Sequence, residues 1–120
     1  MSDQYKWIYT KKTGQLYMKK ILLTFDIPVL FLCTDEQEHL FLCLNIDIDT
    51  GLTVIAETSK QMLEDMEQCR IPMETVFREA EEETLILIWY DKAEKEIECK
   101  AENVKEIPAD MLPERGAFLL

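Results

Sequence analysis

His39 is the only histidine in the chain, so a nucleophile activated by an imidazole base would have to use it. Cys33 and Cys43 are the nearest thiols in sequence. The polar run Thr34-Asp35-Glu36-Gln37-Glu38 just before it reads as a turn, which makes His39 a turn-flanking polar residue, and no catalytic residue is assigned. Metal chemistry fares no better. The cysteines Cys33, Cys43, Cys69 and Cys99 are spaced by 10, 26 and 30 residues without a Cys-x-x-Cys pair, and zinc sites are built from closely paired ligands. Asn45-Ile46-Asp47-Ile48-Asp49-Thr50-Gly51 has the composition of a calcium loop. Its glycine falls at loop position seven instead of six, and Ala56 stands where a bidentate glutamate is required. Strand alternation accounts for Asp47 and Asp49 as a wet face, leaving room for no more than a weak surface divalent site there. Gly14, Gly51 and Gly116 lie more than thirty residues apart, too far for a phosphate-cradling loop or a dinucleotide fingerprint. The expectation is a protein that is not an enzyme, with no cofactor and no metal.

Charge is the chemistry that remains. The 120 residues hold 24 acidic and 13 basic side chains, a net of −11 at neutral pH. The distribution is uneven. Residues 1–20 carry Lys6, Lys11, Lys12, Lys19 and Lys20 against Asp3, a net of +4, and the remaining hundred carry −15. A body that negative repels phosphate, so direct binding of nucleic acid or of an anionic membrane is not expected. A basic protein would be drawn to it and captured faster. The candidate partner-binding residues are Asp47, Asp49, Glu79, Glu81, Glu82 and Glu83. The four glutamates follow a helical segment, at the end where the macrodipole disfavours negative charge. So many carboxylates guarantee close pairs, and no single pair is read as a general acid and base. A second set, Trp7, Tyr9, Phe118 and Leu119, is apolar and read as exposed. It could pair two copies into a homodimer or dock the chain in a larger complex.

The elements that must position these residues show in the hydrophobic periodicity. Leu40, Leu42, Leu44, Ile46 and Ile48 alternate with Phe41, Cys43, Asn45, Asp47 and Asp49, a strand with one aliphatic face and one mostly polar face. Val29 to Cys33 precedes it as the other half of a hairpin. Gln15 to Phe25 comes before that as a strand, linked through Asp26-Ile27-Pro28. Leu52 to Glu57 follows the Asp49-Thr50-Gly51 turn, giving a four-strand meander. Thr58 with Gln61 three residues on has the form of a capping box, and Met62, Leu63, Met66 and Cys69 recur at helical spacing. Pro72 suits the start of a second short helix with Met73, Val76, Phe77 and Ala80. Leu85 to Tyr90 is apolar on both faces and predicts a central strand. Asp91 to Glu94 turns it into a last strand in which Ile97, Cys99 and Ala101 alternate with Glu96, Glu98 and Lys100, a charged sheet edge. The expected fold is α+β: an antiparallel sheet of about six strands (a four-strand meander, two short helices and a two-strand hairpin) with the helices on one face.

No linker, repeat or low-complexity segment divides residues 1–120, which are expected to form one domain with an irregular tail from about 103, its apolar end Ala117-Phe118-Leu119-Leu120 docked on the body. The N-terminal residues lack the pattern of a secretory signal, and Ile21 to Cys33 is too short and too interrupted to span a bilayer. Cysteines scattered among apolar residues fit buried thiols in a reducing, cytoplasmic setting. The run from Thr13-Gly14-Gln15-Leu16 through Phe25-Asp26-Ile27-Pro28-Val29-Leu30-Phe31, the strand at Leu40, Ser59, Leu63 and Ile71 to Phe77 resembles small bacterial single-domain proteins of unknown function. That resemblance implies one small bacterial domain and carries no activity. The functional expectation is a non-catalytic cytoplasmic binding domain, an acidic immunity, antitoxin or defence-associated inhibitor of a basic protein partner. The alternative is a structural or assembly module.

Overall fold

The computed structural model describes residues 5–91, 93 and 96–119, the side chains of Glu96 and Ile97 excepted. Seven strands, β1 (Tyr5–Thr10), β2 (Gly14–Phe25), β3 (Ile27–Thr34), β4 (Leu40–Asp47), β5 (Leu52–Thr58), β6 (Thr84–Tyr90) and β7 (Glu96–Asn103), pair antiparallel in chain order. Helices α1 (Lys60–Glu67) and α2 (Met73–Arg78) lie between β5 and β6 in sequence, yet those two strands still pair directly. The expected α+β class is therefore corrected. The chain is mostly antiparallel β, a seven-stranded sheet curled into a half-barrel with only two α-helices. The curl has a simple measure. Strands five places apart in a flat sheet are separated by about 24 Å, whereas Trp7 of β1 and Tyr90 of β6 meet ring to ring at 5.7 Å.

The extra strand is β1, in a segment that reads as polar and mixed. Its register shifts between Lys6 and Ile8, so Trp7 and Ile8, adjacent in sequence, are both buried. A bulge of this kind breaks the period-two pattern by which a strand is recognised. The expectation of helices laid across one sheet face is not carried over, because the packing is organised instead as two cores. One gathers Leu30, Leu32, Leu42, Val54, Ala56, Leu85 and Leu87 with the helical residues Leu63, Met66, Val76 and Phe77. The other, inside the curl, gathers Trp7, Ile8, Leu16, Phe31, Cys33, Phe41, Cys43, Ile55 and Ile88. Consequently β4 has no wet face along most of its length, since Phe41, Cys43 and Asn45 are buried as well as Leu42. Closing a sheet on itself encloses residues that an open sheet would leave in water.

Helix α1 starts one residue later than the capping pattern predicts. Ser59 is the N-cap, and its hydroxyl accepts from the Met62 amide. Pro72 caps α2. The tail from Val104 is short 3₁₀ turns and coil, anchored through the buried Val104, Ile107 and Leu112. Leu119 packs against the helix-side core, and the residues just before it make polar contacts. The Gly116 amide donates to Glu74 Oε1 at 3.1 Å, Arg78 Nε donates to Glu74 Oε2 at 2.7 Å, and the Met73 amide donates to the Ala117 carbonyl. The Arg78 guanidinium, outweighing burial, holds the Glu74 carboxyl below its usual range. The end of the expected docked segment, Leu120, lies outside the described residues, as do Lys92 and Glu94 of the Asp91 turn and the side chain of Ile97.

Candidate functional site

A meander with this strand order places alternate turns at the same end. Asp26, the Ile48–Gly51 turn and Asp91 stand at one end; the Lys11–Thr13 turn, the Asp35–His39 turn and the passage from β5 through the helices to β6 stand at the other. The first end holds a cavity of about 280 Å³ lined by Trp7, Met18, Ile27, Pro28, Phe31, Ile48, Asp49, Gly51, Tyr90 and Asp91. Its floor is aromatic. Trp7, only 6% exposed, meets Phe31 edge to face at 4.9 Å and Tyr90 at 5.7 Å. Tyr90 is held by the amide of buried Asn45, which donates to its hydroxyl at 3.2 Å and to Thr53 Oγ1 at 3.2 Å. Gly51 fixes the turn. It has a φ of +68°, and a Cβ there would collide with the Tyr90 carbonyl oxygen, so only glycine lets the β4–β5 turn close against the end of β6.

The two aspartates of that turn differ in use. Asp47 is consumed locally, its Oδ1 accepting from the Asp49 amide at 3.0 Å and its Oδ2 from the Thr50 hydroxyl at 3.1 Å. Asp49 lines the cavity together with Asp91, and both charged groups on the described wall are carboxylates. Ile48, on the same lining, is 54% exposed.

At the opposite end a second cavity, about 330 Å³, is lined by Lys12, Glu57, Glu81, Glu82, Thr84, Ile86 and Ala101. The predicted acidic run therefore splits. Glu79 is the C-cap of α2, and Glu81–Glu83 form a separate 3₁₀ turn instead of a solvated helix end. Glu82 and Glu83 hold φ values of 58° and 53°, a left-handed conformation in which the chain reverses from the helices into β6. Here the basic N-terminal segment folds against the acidic body. Lys12 shares the cavity with Glu57, Glu81 and Glu82, and Lys20 Nζ is paired with Glu67 at 2.6 Å.

The other candidates are placed as follows. His39 Nδ1 is 2.7 Å from Asp35 Oδ2 in the exposed β3–β4 turn, and the Asp35 bond and charge raise its pKa. Cys33 and Cys43 are fully buried in the inner core, and burial pushes the Cys43 thiol well up. Imidazole and thiols thus lie in different surroundings. Of the apolar set read as exposed, Tyr9 at 62% and Phe118 at 46% are so, whereas Trp7 is buried and Leu119 packs on the outer core. Trp7 is corrected for the same reason as β1, the bulge that turns it inward. Among the described residues no group of three or more potential ligands could hold a metal ion, and no helix is long and apolar enough to cross a membrane.

Tyr90, Asp91, Ile27 and Pro28 are the site residues that sequence reasoning missed. No local motif marks them, because three separate turns bring them together. The signal available was topological: in a meander, the second, fourth and later even-numbered turns share an end. Compared with protein-family models, curated proteins and solved structures, the chain matches none, so the resemblance to small bacterial domains brings no residue roles with it.

Proposed function

We propose that this protein is a non-catalytic, cytoplasmic binding domain that recognises a basic protein partner, in the manner of an immunity, antitoxin or defence-associated inhibitor. The observation that carries this reading is the turn end of the half-barrel, where Asp49 and Asp91 line a cavity with apolar and aromatic groups, the exposed Ile48 among them. Carboxylates beside exposed apolar groups suit a protein surface that is both charged and apolar: the charge guides approach and the apolar contact holds it. The body's net of −15 supplies the long-range attraction. The partner surface is thus centred on the turn-end cavity that Asp49 and Asp91 line.

The test is capture of a binding protein from source-cell extract, repeated with the Asp49→Lys, Asp91→Lys double variant. A basic protein should be held at low salt, released at high salt and lost with the double variant. Its own activity should fall on mixing with an equal amount of the domain. Capture indifferent to salt and to both substitutions overturns the reading. A second reading, an assembly module, is favoured by one observation. Among the described residues β1 pairs with β2 as far as Met18, and further along β2 Ile21, Leu23 and Phe25 are exposed. Light scattering that shows only monomer at high micromolar concentration removes self-association.

A further inference from the structure

We propose that two copies of this protein pair, about a two-fold axis, through an apolar patch on the inner face of the β2–β3 hairpin; this rests on the assembly reading above and names its surface. Register places the patch. Ile21 pairs with Phe31 and Phe25 with Ile27, and residues directly opposite each other in an antiparallel pair share a face. Phe31 belongs to the inner core, and Phe31, Ile27, Pro28 and Ile48 line one cavity. Ile21, Phe25 and Ile48 therefore border the same inner surface, and they are 48%, 75% and 54% exposed. Leu23 stands on the other face, because the register shift after Ile21 sets it against Leu30 of the helix-side core.

Area and symmetry argue for a second copy. At these exposures the three side chains present on the order of 300 Å² of apolar surface, at the lower end of the patches that mark interaction sites. Interfaces between separately folded proteins are a little over half apolar. A contact centred on this patch therefore covers roughly 550 Å² of each copy, and the pair clears the roughly 1,000 Å² that a specific interface needs. A two-fold axis presents the same patch twice, apolar against apolar, with no second surface required. Charge opposes the pairing. Asp26 and Asp49 are exposed beside the patch, and each copy carries a net of −11. The dimer is accordingly weak, and its salt dependence has the opposite sign to that of a basic partner. Added salt screens the repulsion between copies, whereas it loosens the hold on a protein of opposite charge.

The experiment is sedimentation equilibrium of the purified full chain up to high micromolar concentration, in low and in high salt. A monomer–dimer equilibrium is expected, tightening as salt is added. Phe25→Ser and Ile48→Ser should each weaken the dimer about tenfold or more. Leu23→Ser, an equally apolar exposed position on the other face, should leave it unchanged. All three side chains are exposed, so melting temperatures should stay close to the parent's, which separates a lost contact from a lost fold. Monomer at every concentration, a dimer that salt loosens, a dimer indifferent to Phe25→Ser and Ile48→Ser, or one lost equally with Leu23→Ser each overturns the proposal. The failures are distinguishable. A dimer that ignores Phe25→Ser and Ile48→Ser sinks this surface and spares the assembly reading, whereas monomer throughout removes self-association altogether.

Discussion

The two ends of the half-barrel each hold a cavity with acidic residues, and the two are lined differently. Each cavity measures about 300 Å³. At the turn end the carboxylates Asp49 and Asp91 share the lining with aromatic and aliphatic groups. At the helix end Glu57, Glu81 and Glu82 share their cavity with Lys12. The β1–β2 turn reaches the helix end of the sheet, so Lys12 joins the acidic cavity there, whereas the turn-end cavity sets its carboxylates among apolar and aromatic groups. Which groups surround a carboxylate is thus set by the order of the turns.

Glycine substitution gives the largest expected contrast between the ends. Both Gly51 and Gly14 have positive φ, but a Cβ at Gly51 meets the Tyr90 backbone while one at Gly14 meets nothing within 4 Å. Gly51→Ala should cost on the order of 3 kcal/mol, combining conformational strain with a backbone collision. Gly14→Ala should cost about 1 kcal/mol, from strain alone. Paired thermal melts measure both, at about 4 °C per kcal/mol for a chain of this size. Equal losses would mean that the β4–β5 turn is not locked to β6.

Next in size is the lysine at the helix end. Lys12→Glu should lower the melting temperature by no more than about 3 °C, because the charges it faces are partly solvated. The gap from the parent protein should close in high salt, where such interactions are screened. A gap that salt leaves untouched would place the effect in packing and break the charge comparison.

The smallest effect belongs to His39, also at the helix end. The bond and charge of Asp35 raise its pKa in the fold, so the protonated imidazole is favoured by folding. That contribution is complete below the unfolded value of about 6.5 and is lost as pH rises through the folded value. An NMR titration of the ring should give a midpoint above 6.5, and Asp35→Asn should bring it down. A midpoint that ignores Asp35 would remove the pair from the description of this end.

Much of the local structure is legible in the residues. The alternation from Leu40 and the apolar run from Val29 predict the β3–β4 hairpin, and it pairs Leu30 with Leu44 through Thr34 with Leu40. Leu85 to Tyr90, apolar on both sides, is a strand paired on both edges. β1 was hidden because its bulge turns two neighbouring residues inward. The second core was hidden because Phe41 and Cys43 look like exceptions on a polar face until the sheet curls over them. The site was half legible. Asp49 stands out by type, and Trp7 was singled out for the wrong exposure. Asp91 and Tyr90 carry no local mark at all.

The sequence by itself determined the turns, most strands, both helices and the sign of the surface, since each depends on side-chain period, backbone preference or charge within a few residues. Tertiary structure decided which carboxylates share a cavity with aromatic rings. It also decided that Trp7 lies under a cavity and not on a surface. Those outcomes follow from the curl and the turn order, which bring together residues as distant as Trp7, Asp49 and Asp91, and proximity of that kind has no signature along the chain.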